Sequence, residues 1–276
     1  MKLRCPFADA VASSREEARQ QFQLILGLEK ATAAGQVAAL HDFRVALRRL
    51  RVLLRALAEP LAPTDAGALE RRWQRLADEL SPLRDADVWR GLLRELPGAT
   101  AAFRRRVAAK LHSERGHPAA VLKRAAWRRL KRDTHLLMAH ALPDALAKAG
   151  PAKLGKALRR AWEQAGARAA RLAQQRHLAE PEQAHKLRIA CRRVRYLAEF
   201  FAAAVAGRKK AQAWQELAGQ YRALQNALGR THDADVLLEF LQTADLRPPL
   251  AVVRSLRARR AAGVRQFKQV WREMVN

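Results

Sequence analysis

Arginine and histidine recur at helical spacing in two stretches of this sequence, and phosphate is the group that such a pattern would hold. His41, Arg44, Arg48, Arg51 and Arg55 are separated by 3, 4, 3 and 4 residues, and residues three and four apart share one face of a helix. His185, Arg188, Arg192 and Arg195 repeat the pattern. Guanidinium makes planar, bidentate hydrogen bonds to phosphate oxygens and is weakly hydrated. Like charges at i,i+4 repel by about 0.2–0.5 kcal/mol per pair, so an ordinary solvated face interleaves Glu with Arg. The seam from His41 to Arg55 contains no acid. At a rise of 1.5 Å per residue it is about 21 Å long, enough for several successive phosphates. The expected ligand is a polymer.

The two histidines open their stripes, and each admits two readings, a phosphate contact or a structural residue. Surrounded by Arg, such a histidine should have a lowered pKa, and a bound polyanion should raise it and draw in a proton. Asp85, Asp87, Asp233 and Asp235 form a repeated D-A-D. Carboxylates suit Mg²⁺, yet positions i and i+2 diverge on a helix, and Asp near a helix start is a routine cap or Arg partner. The structural reading is favoured and no metal site is expected. His41-Asp42 and His232-Asp233 resemble the HD doublet of metal-dependent phosphohydrolases. Neither doublet survives in the matching stretch, where Asp42 aligns with Lys186 and His232 with Arg84. Walker, G-x-G-x-x-G and G-x-S-x-G motifs and Cys/His metal clusters are absent. No cofactor and no catalytic residue are expected.

The elements that must carry these side chains are helices. Phe43, Ala46, Leu47, Leu50, Leu54 and Leu57 form an apolar stripe opposite the first basic seam. Leu187, Ile189, Ala190, Cys191, Val194, Leu197 and Phe201 lie around the second. Glu199 aligns with Arg55, so the second seam ends differently. The stretch His41–Arg51 is identical to His185–Arg195 at six of eleven positions, four of them Arg. LSPLRDADV from Leu80 recurs as LGRTHDADV from Leu228, in the same order. Two ordered matches make an internal tandem repeat, with a first helical repeat at 8–141 and a second at 152–276. The joint lies around Leu142–Lys153, where Pro143, Gly150 and Pro151 interrupt helical periodicity. Helices are expected over 10–33, 40–58, 65–80, 84–95, 99–113, 118–141, 152–178, 182–205, 209–227, 232–243 and 248–275.

Composition agrees. Aromatics are 6% of the 276 residues and hydrophobics 49%, a helix former's alphabet with enough apolar content for a core. The predicted fold is all-α, two pseudo-symmetric helical bundles with a basic groove or pore. Fifty-three bases stand against 26 acids, for a formal charge of +27. So large a charge calls for a polyanionic partner that relieves self-repulsion. Arg outnumbers Lys by 41 to 12. Weaker one-sided series run through Lys153, Lys156, Arg160, Arg168 and Arg171, through Arg124, Arg128, Lys131 and Arg132, and through Arg254, Arg257, Arg265, Lys268 and Arg272. They form a groove with the stripes if they share a surface and are solvated faces if they do not. Cys5 and Cys191 make no disulfide framework, and a reducing compartment is the simpler expectation. No apolar run approaches a membrane span and the first residues lack a signal-peptide core, so a cytoplasmic protein is expected.

The doubled pattern H-x-x-R-x-x-x-R-R-x-R, at His41–Arg51 and His185–Arg195, followed by the repeated DADV motif, resembles the CHAD family, the conserved histidine α-helical domain. The resemblance covers nearly the whole chain. It implies one domain over 1–276, two pseudo-symmetric helical bundles enclosing a basic surface or pore, and binding of inorganic polyphosphate, with association of some members with polyphosphate granules. Carried onto this sequence, the implied ligand positions are His41, Arg44, Arg48, Arg49, Arg51, His185, Arg188, Arg192, Arg193 and Arg195. Arg55 rests on the stripe geometry. Some relatives fuse this domain to a CYTH triphosphatase, and no segment here fits that enzyme. The expected protein is a non-enzymatic polyphosphate binder. The alternatives are a non-specific nucleic-acid binder, for which exposed aromatics would be needed, and a metal-dependent phosphohydrolase working through the Asp pairs.

Overall fold

Every described element is helical. The computed structural model describes residues 7–114, 117–175, 180–205 and 207–275. Cys5 and the expected helix end at 176–178 lie outside the described residues. In chain order the helices are α1 (Phe7–Ala33), α2 (Val37–Ala56), α3 (Ala66–Glu79), α4 (Ser81–Glu95), α5 (Ala101–Glu114), α6 (Pro118–Leu122), α7 (Ala125–Leu136), α8 (Leu142–Ala173), α9 (Pro181–Ala204), α10 (Arg208–Thr243) and α11 (Leu250–Val275). No helix among the described residues is long and apolar enough to cross a membrane.

The apolar stripes read from the sequence are the buried faces. Phe43, Ala46, Leu47, Leu50, Leu54 and Leu57 of the first stretch are all buried, as are Leu187, Ala190, Cys191, Val194, Leu197 and Phe201 of the second. Ile189 is the exception, at 38% exposure. Its position is one residue off the i,i+3,i+4 series that points inward.

By contact the chain divides into two compact units. The first comprises Met1–Ser81, His117–Ala165 and Arg193–Ala218. The second comprises Pro82–Gly116, Gly166–Arg192 and Gly219–Asn276. Each unit draws segments from both halves of the sequence, so these boundaries are not those of the 8–141 and 152–276 stretches. The core of the first unit is aromatic: Trp73 meets Phe22 and Trp127 edge-on, with centroids 6.2 and 5.7 Å apart, and Trp162 meets Trp214 at 5.0 Å. Such edge-to-face pairs add about 0.5–1.5 kcal/mol each beyond their buried area. In the second unit Trp89, Leu92, Leu93 and Leu96 of α4 and its end pack with Phe103 and Val107 of α5, Leu237 and Leu241 of α10, and Val252 and Leu256 of α11.

Proline and glycine act unevenly as punctuation. Gly150 breaks α8 as expected, with φ 72° and ψ 164°. Pro143 does not break the chain. It follows a π-helical turn, Leu137–Ala141, and a wider turn there accommodates the missing N–H and the ring of Pro143. The matched motifs also differ. In the first copy Leu80 caps α3 and α4 begins at Ser81, since Pro82 can start a helix but not continue one. In the second copy Arg230 stands where Pro82 stands, and α10 runs unbroken from Arg208 to Thr243. The expected break between 227 and 232 is therefore corrected.

Packing explains why Gly229 and Thr231 do not interrupt α10. Thr231 is fully buried, and its Oγ1 donates toward the Arg260 carbonyl of α11 at 3.3 Å and the Ala227 carbonyl at 3.4 Å. The approach is possible because residue 263 is glycine. A Cβ there would lie 2.3 Å from Thr231 Oγ1 and 2.7 Å from the Ala227 carbonyl oxygen. Gly→Ala in an open helix stabilises by about 1 kcal/mol, and a Cβ at Gly166 meets nothing within 4 Å. Gly166→Ala should therefore raise stability, whereas Gly263→Ala should lower it by about 1–3 kcal/mol through overpacking. Urea unfolding midpoints of the two variants check this, and equal shifts would refute the close approach of α10 and α11.

Candidate functional site

Helix α2 places its arginines in the first unit, where neighbouring helices supply acids that the linear seam lacks. Arg44 is half-buried and donates Nη1 to the Ala77 carbonyl at 3.2 Å and Nη2 to Ser81 Oγ at 2.9 Å. Arg51 is buried, with Nε 2.9 Å from Glu70 Oε1 and Nη2 donating to Gln74 Oε1. Arg55 Nε approaches the same Glu70 oxygen at 2.8 Å. The acid-free seam is thus corrected at its C-terminal end, because α3 delivers Glu70 across the helix interface. Desolvation lowers the Arg51 pKa, and Glu70 works against that fall. Arg48 is half-buried, its Nε buried without a hydrogen-bond partner. His41 is exposed.

The second half of α9 adds to this unit. Glu199 receives Arg49 Nη2 at 2.7 Å and lies 3.5 Å from Arg195 Nε. The Tyr196 ring carries both guanidiniums, with Arg195 Cζ 4.6 Å and Arg49 Cζ 5.8 Å from its centroid, a cation–π arrangement. A cavity of about 250 Å³ is lined here by Glu17, Gln21, Arg49, Tyr196 and Glu199. Burial raises the Glu17 pKa, and Gln21 and Arg49 oppose the rise. Arg193 is half-buried in the same unit.

The second unit holds His185, Arg188 and Arg192, and α10 brings His232 against His185. Their Nδ1 atoms are 3.4 Å apart and their ring centroids 4.6 Å. Burial, then Arg188, His185 and Arg192, depress the His232 pKa to about 3. His185 is lowered by burial and by Arg188 and Arg192, as its arginine neighbours led us to expect. Burial raises the Asp233 pKa, with Arg188 opposing and Asp85 adding to the rise. Arg84 and Arg259 also favour its carboxylate. The outer aspartates are Arg partners: Asp87 lies 3.1 Å from Arg90 Nη1 and Asp235 2.5 Å from Arg260 Nε. Among the described residues no three His, Cys, Asp or Glu side chains gather in a metal-holding group. Cys191 is core, its thiol pushed up to about 12 by burial.

Glu70 and Tyr196 had no visible signal in the sequence. Glu199 was visible only as the acid aligned with Arg55, and His232 only as the histidine aligned with Arg84 in the second DADV motif. The weaker series resolve in part. Arg124, Lys131 and Arg132 are held by Glu79, Glu29 and Asp133, and Arg160 by Glu59. Lys153, Lys156, Arg168, Arg171, Arg254, Arg257, Arg265, Lys268 and Arg272 are exposed.

His232 is neutral in the fold, whereas its unfolded pKa is near 6.5. The unfolded chain therefore gains a proton first, and the stability this group contributes above pH 6.5 is lost as pH falls toward about 3. His232→Gln should flatten the loss of stability between pH 6.5 and 4 relative to the unaltered protein, as read by denaturant unfolding at each pH. Identical pH profiles would refute the buried, neutral state.

The CHAD domain family matches residues 16–242 of this chain. The crystal structure of the CHAD domain from the plant Ricinus communis superposes with a TM-score of 0.65 at 24% identity, over 96% of this chain and 88% of that one. No curated protein matches the chain. The all-α fold is the one this chain shares with that structure, and this chain belongs to the CHAD domain family.

Proposed function

We propose that this CHAD protein binds inorganic polyphosphate without catalysing its hydrolysis, acting in the cytoplasm and at polyphosphate granules. The observation that carries the reading is the placement of matched arginines. Arg44 and Arg188, Arg48 and Arg192, and Arg49 and Arg193 are all half-buried, Arg195 is half-buried and Arg51 is buried. Partly desolvated guanidiniums interact more strongly with an oxyanion than exposed ones do. Ser81, Glu70 and Glu199 hold Arg44, Arg51 and Arg49 by hydrogen bonds, so less side-chain entropy is lost when phosphate arrives. His41 and His185 stand at the heads of the stripes as further donors, and Arg55 stands at the exposed end of the first.

The nucleic-acid alternative is less favoured because Trp73, Trp89, Trp127, Trp214, Tyr196 and Tyr221 are buried, which leaves only Trp162 and Trp271 partly exposed among the Trp and Tyr rings that base stacking would use. Titration with long-chain polyphosphate at about 0.15 M salt, against matched phosphate concentrations of duplex DNA and RNA, discriminates the two. Tight binding that nucleic acid does not displace is expected, and equal displacement by any polyanion would refute a shaped site. The same samples with Mg²⁺ should release no orthophosphate.

Arg48→Glu with Arg192→Glu should abolish binding with the helical circular dichroism intact. Each lost phosphate contact should flatten the dependence of log K on log salt by about one unit. Arg51→Ala should act differently. It removes the partner of a buried carboxylate, so it should lower stability by about 3 kcal/mol, the lower end for a broken buried pair because Arg55 still holds Glu70. Retained binding in the double charge reversal, measured by the same titration, would overturn the assignment of these helices.

A further inference from the structure

We propose that His232 belongs to the phosphate site of the second unit, and that His185 and His232 take up one shared proton when a phosphoryl oxyanion binds, which makes binding proton-linked. This rests on the polyphosphate reading above and names how that site is regulated.

The geometry defines the chemistry. With Nδ1 atoms 3.4 Å apart, two neutral imidazoles can share one N–H···N hydrogen bond. The ring that donates from Nδ1 then has a bare Nε2, and its partner carries its hydrogen on Nε2. The neutral pair therefore offers one Nε2–H donor. A proton added from solvent to the bare Nε2 gives an imidazolium whose Nδ1–H still donates to the other Nδ1, and both rings then carry an Nε2–H donor. A phosphoryl oxyanion accepts two donors better than one, and the charge strengthens both bonds.

The surroundings hold the pair unprotonated until an anion arrives. Both rings are partly buried, and Arg188 and Arg192 of α9 act on both. From α10, Asp233 follows His232 directly in the chain, and Asp85 and Arg84 of α4 and Arg259 of α11 act on that carboxyl. Burial and the neighbouring Asp85 oppose the Asp233 carboxylate, and Arg188, Arg84 and Arg259 favour it. Phosphate oxygens at Arg188 and Arg192 reverse the local field, which removes the electrostatic penalty on an imidazolium. First-copy Arg84 occupies the position aligned with His232, so a permanently charged donor in one motif corresponds to a titrating one in the other.

The test is calorimetric titration of the full chain with long-chain polyphosphate, whose terminal groups are a negligible share of its phosphates. It is run with EDTA near pH 6.5–7, in buffers of differing ionisation enthalpy, on the unaltered protein and on His232→Gln and His185→Gln. The expected result is uptake of about one more proton per site in the unaltered protein than in either variant. Its affinity should rise by up to tenfold per unit fall in pH between 8 and 6, the limit for one linked proton. Equal uptake in all three proteins, or none in the unaltered one, overturns the proposal while leaving polyphosphate binding in place. Absence of binding at every pH overturns the polyphosphate reading itself. Where a variant loses its helical circular dichroism, imidazole ¹⁵N shifts of the unaltered protein decide. A move of His185 and His232 toward imidazolium on adding polyphosphate supports the linkage, and unchanged shifts overturn it.

Discussion

Twenty-six acids cannot neutralise 53 bases, and the rest of the structure depends on where those few carboxylates are placed. Glu29, Glu59, Glu79 and Asp133 join helices that are far apart in sequence, to Lys131, Arg160, Arg124 and Arg72. Such pairs contribute little stability individually when exposed. Their greater effect is on the surface field, since a base held by an acid no longer adds to the net repulsion at that point. A chain this basic is better stabilised with an anion present than without one.

Within the repeated helices the acids play a second part. Glu70 receives Arg51 and Arg55 at one oxygen, and Glu199 anchors Arg49 beside Tyr196. A buried carboxylate of this kind positions a guanidinium as well as neutralising it. Arg48 lies among these held neighbours with a buried, unpartnered Nε. A desolvated donor without an acceptor is unfavourable, and an oxyanion bound there as proposed would relieve that penalty.

Two stretches that read almost identically reach different chemical states. The first opens on an exposed His41 and ends in the Glu70 cluster, whereas the second opens on His185, packed against His232 beside Arg188 and Arg192. The difference follows from what each helix packs against. Proline at position 82 restarts a helix in the first motif, and its replacement by Arg230 lets α10 run straight through and carry His232 to α9.

Helix type, helix faces and the basic stripes were legible in the sequence because they depend on a period of 3.6 and on local steric rules. Phe43 to Leu57 could be assigned to the core from spacing alone, and Gly150 marked a break because few other residues adopt its positive φ. Ile189 and the expected break at 228–231 were misread because burial and continuity there depend on neighbours, with Gly263 of α11 closing on Thr231. The pairing of Glu70 with Arg51, of Glu199 with Arg49 and of His185 with His232 spans 19, 150 and 47 residues, separations at which no periodicity operates. The sequence by itself determined that this chain is helical, strongly basic and patterned with arginine stripes at helical spacing. Only the tertiary structure decided which arginines are neutralised and which histidines can titrate, because desolvation and Coulomb energy depend on distances that the linear order does not contain.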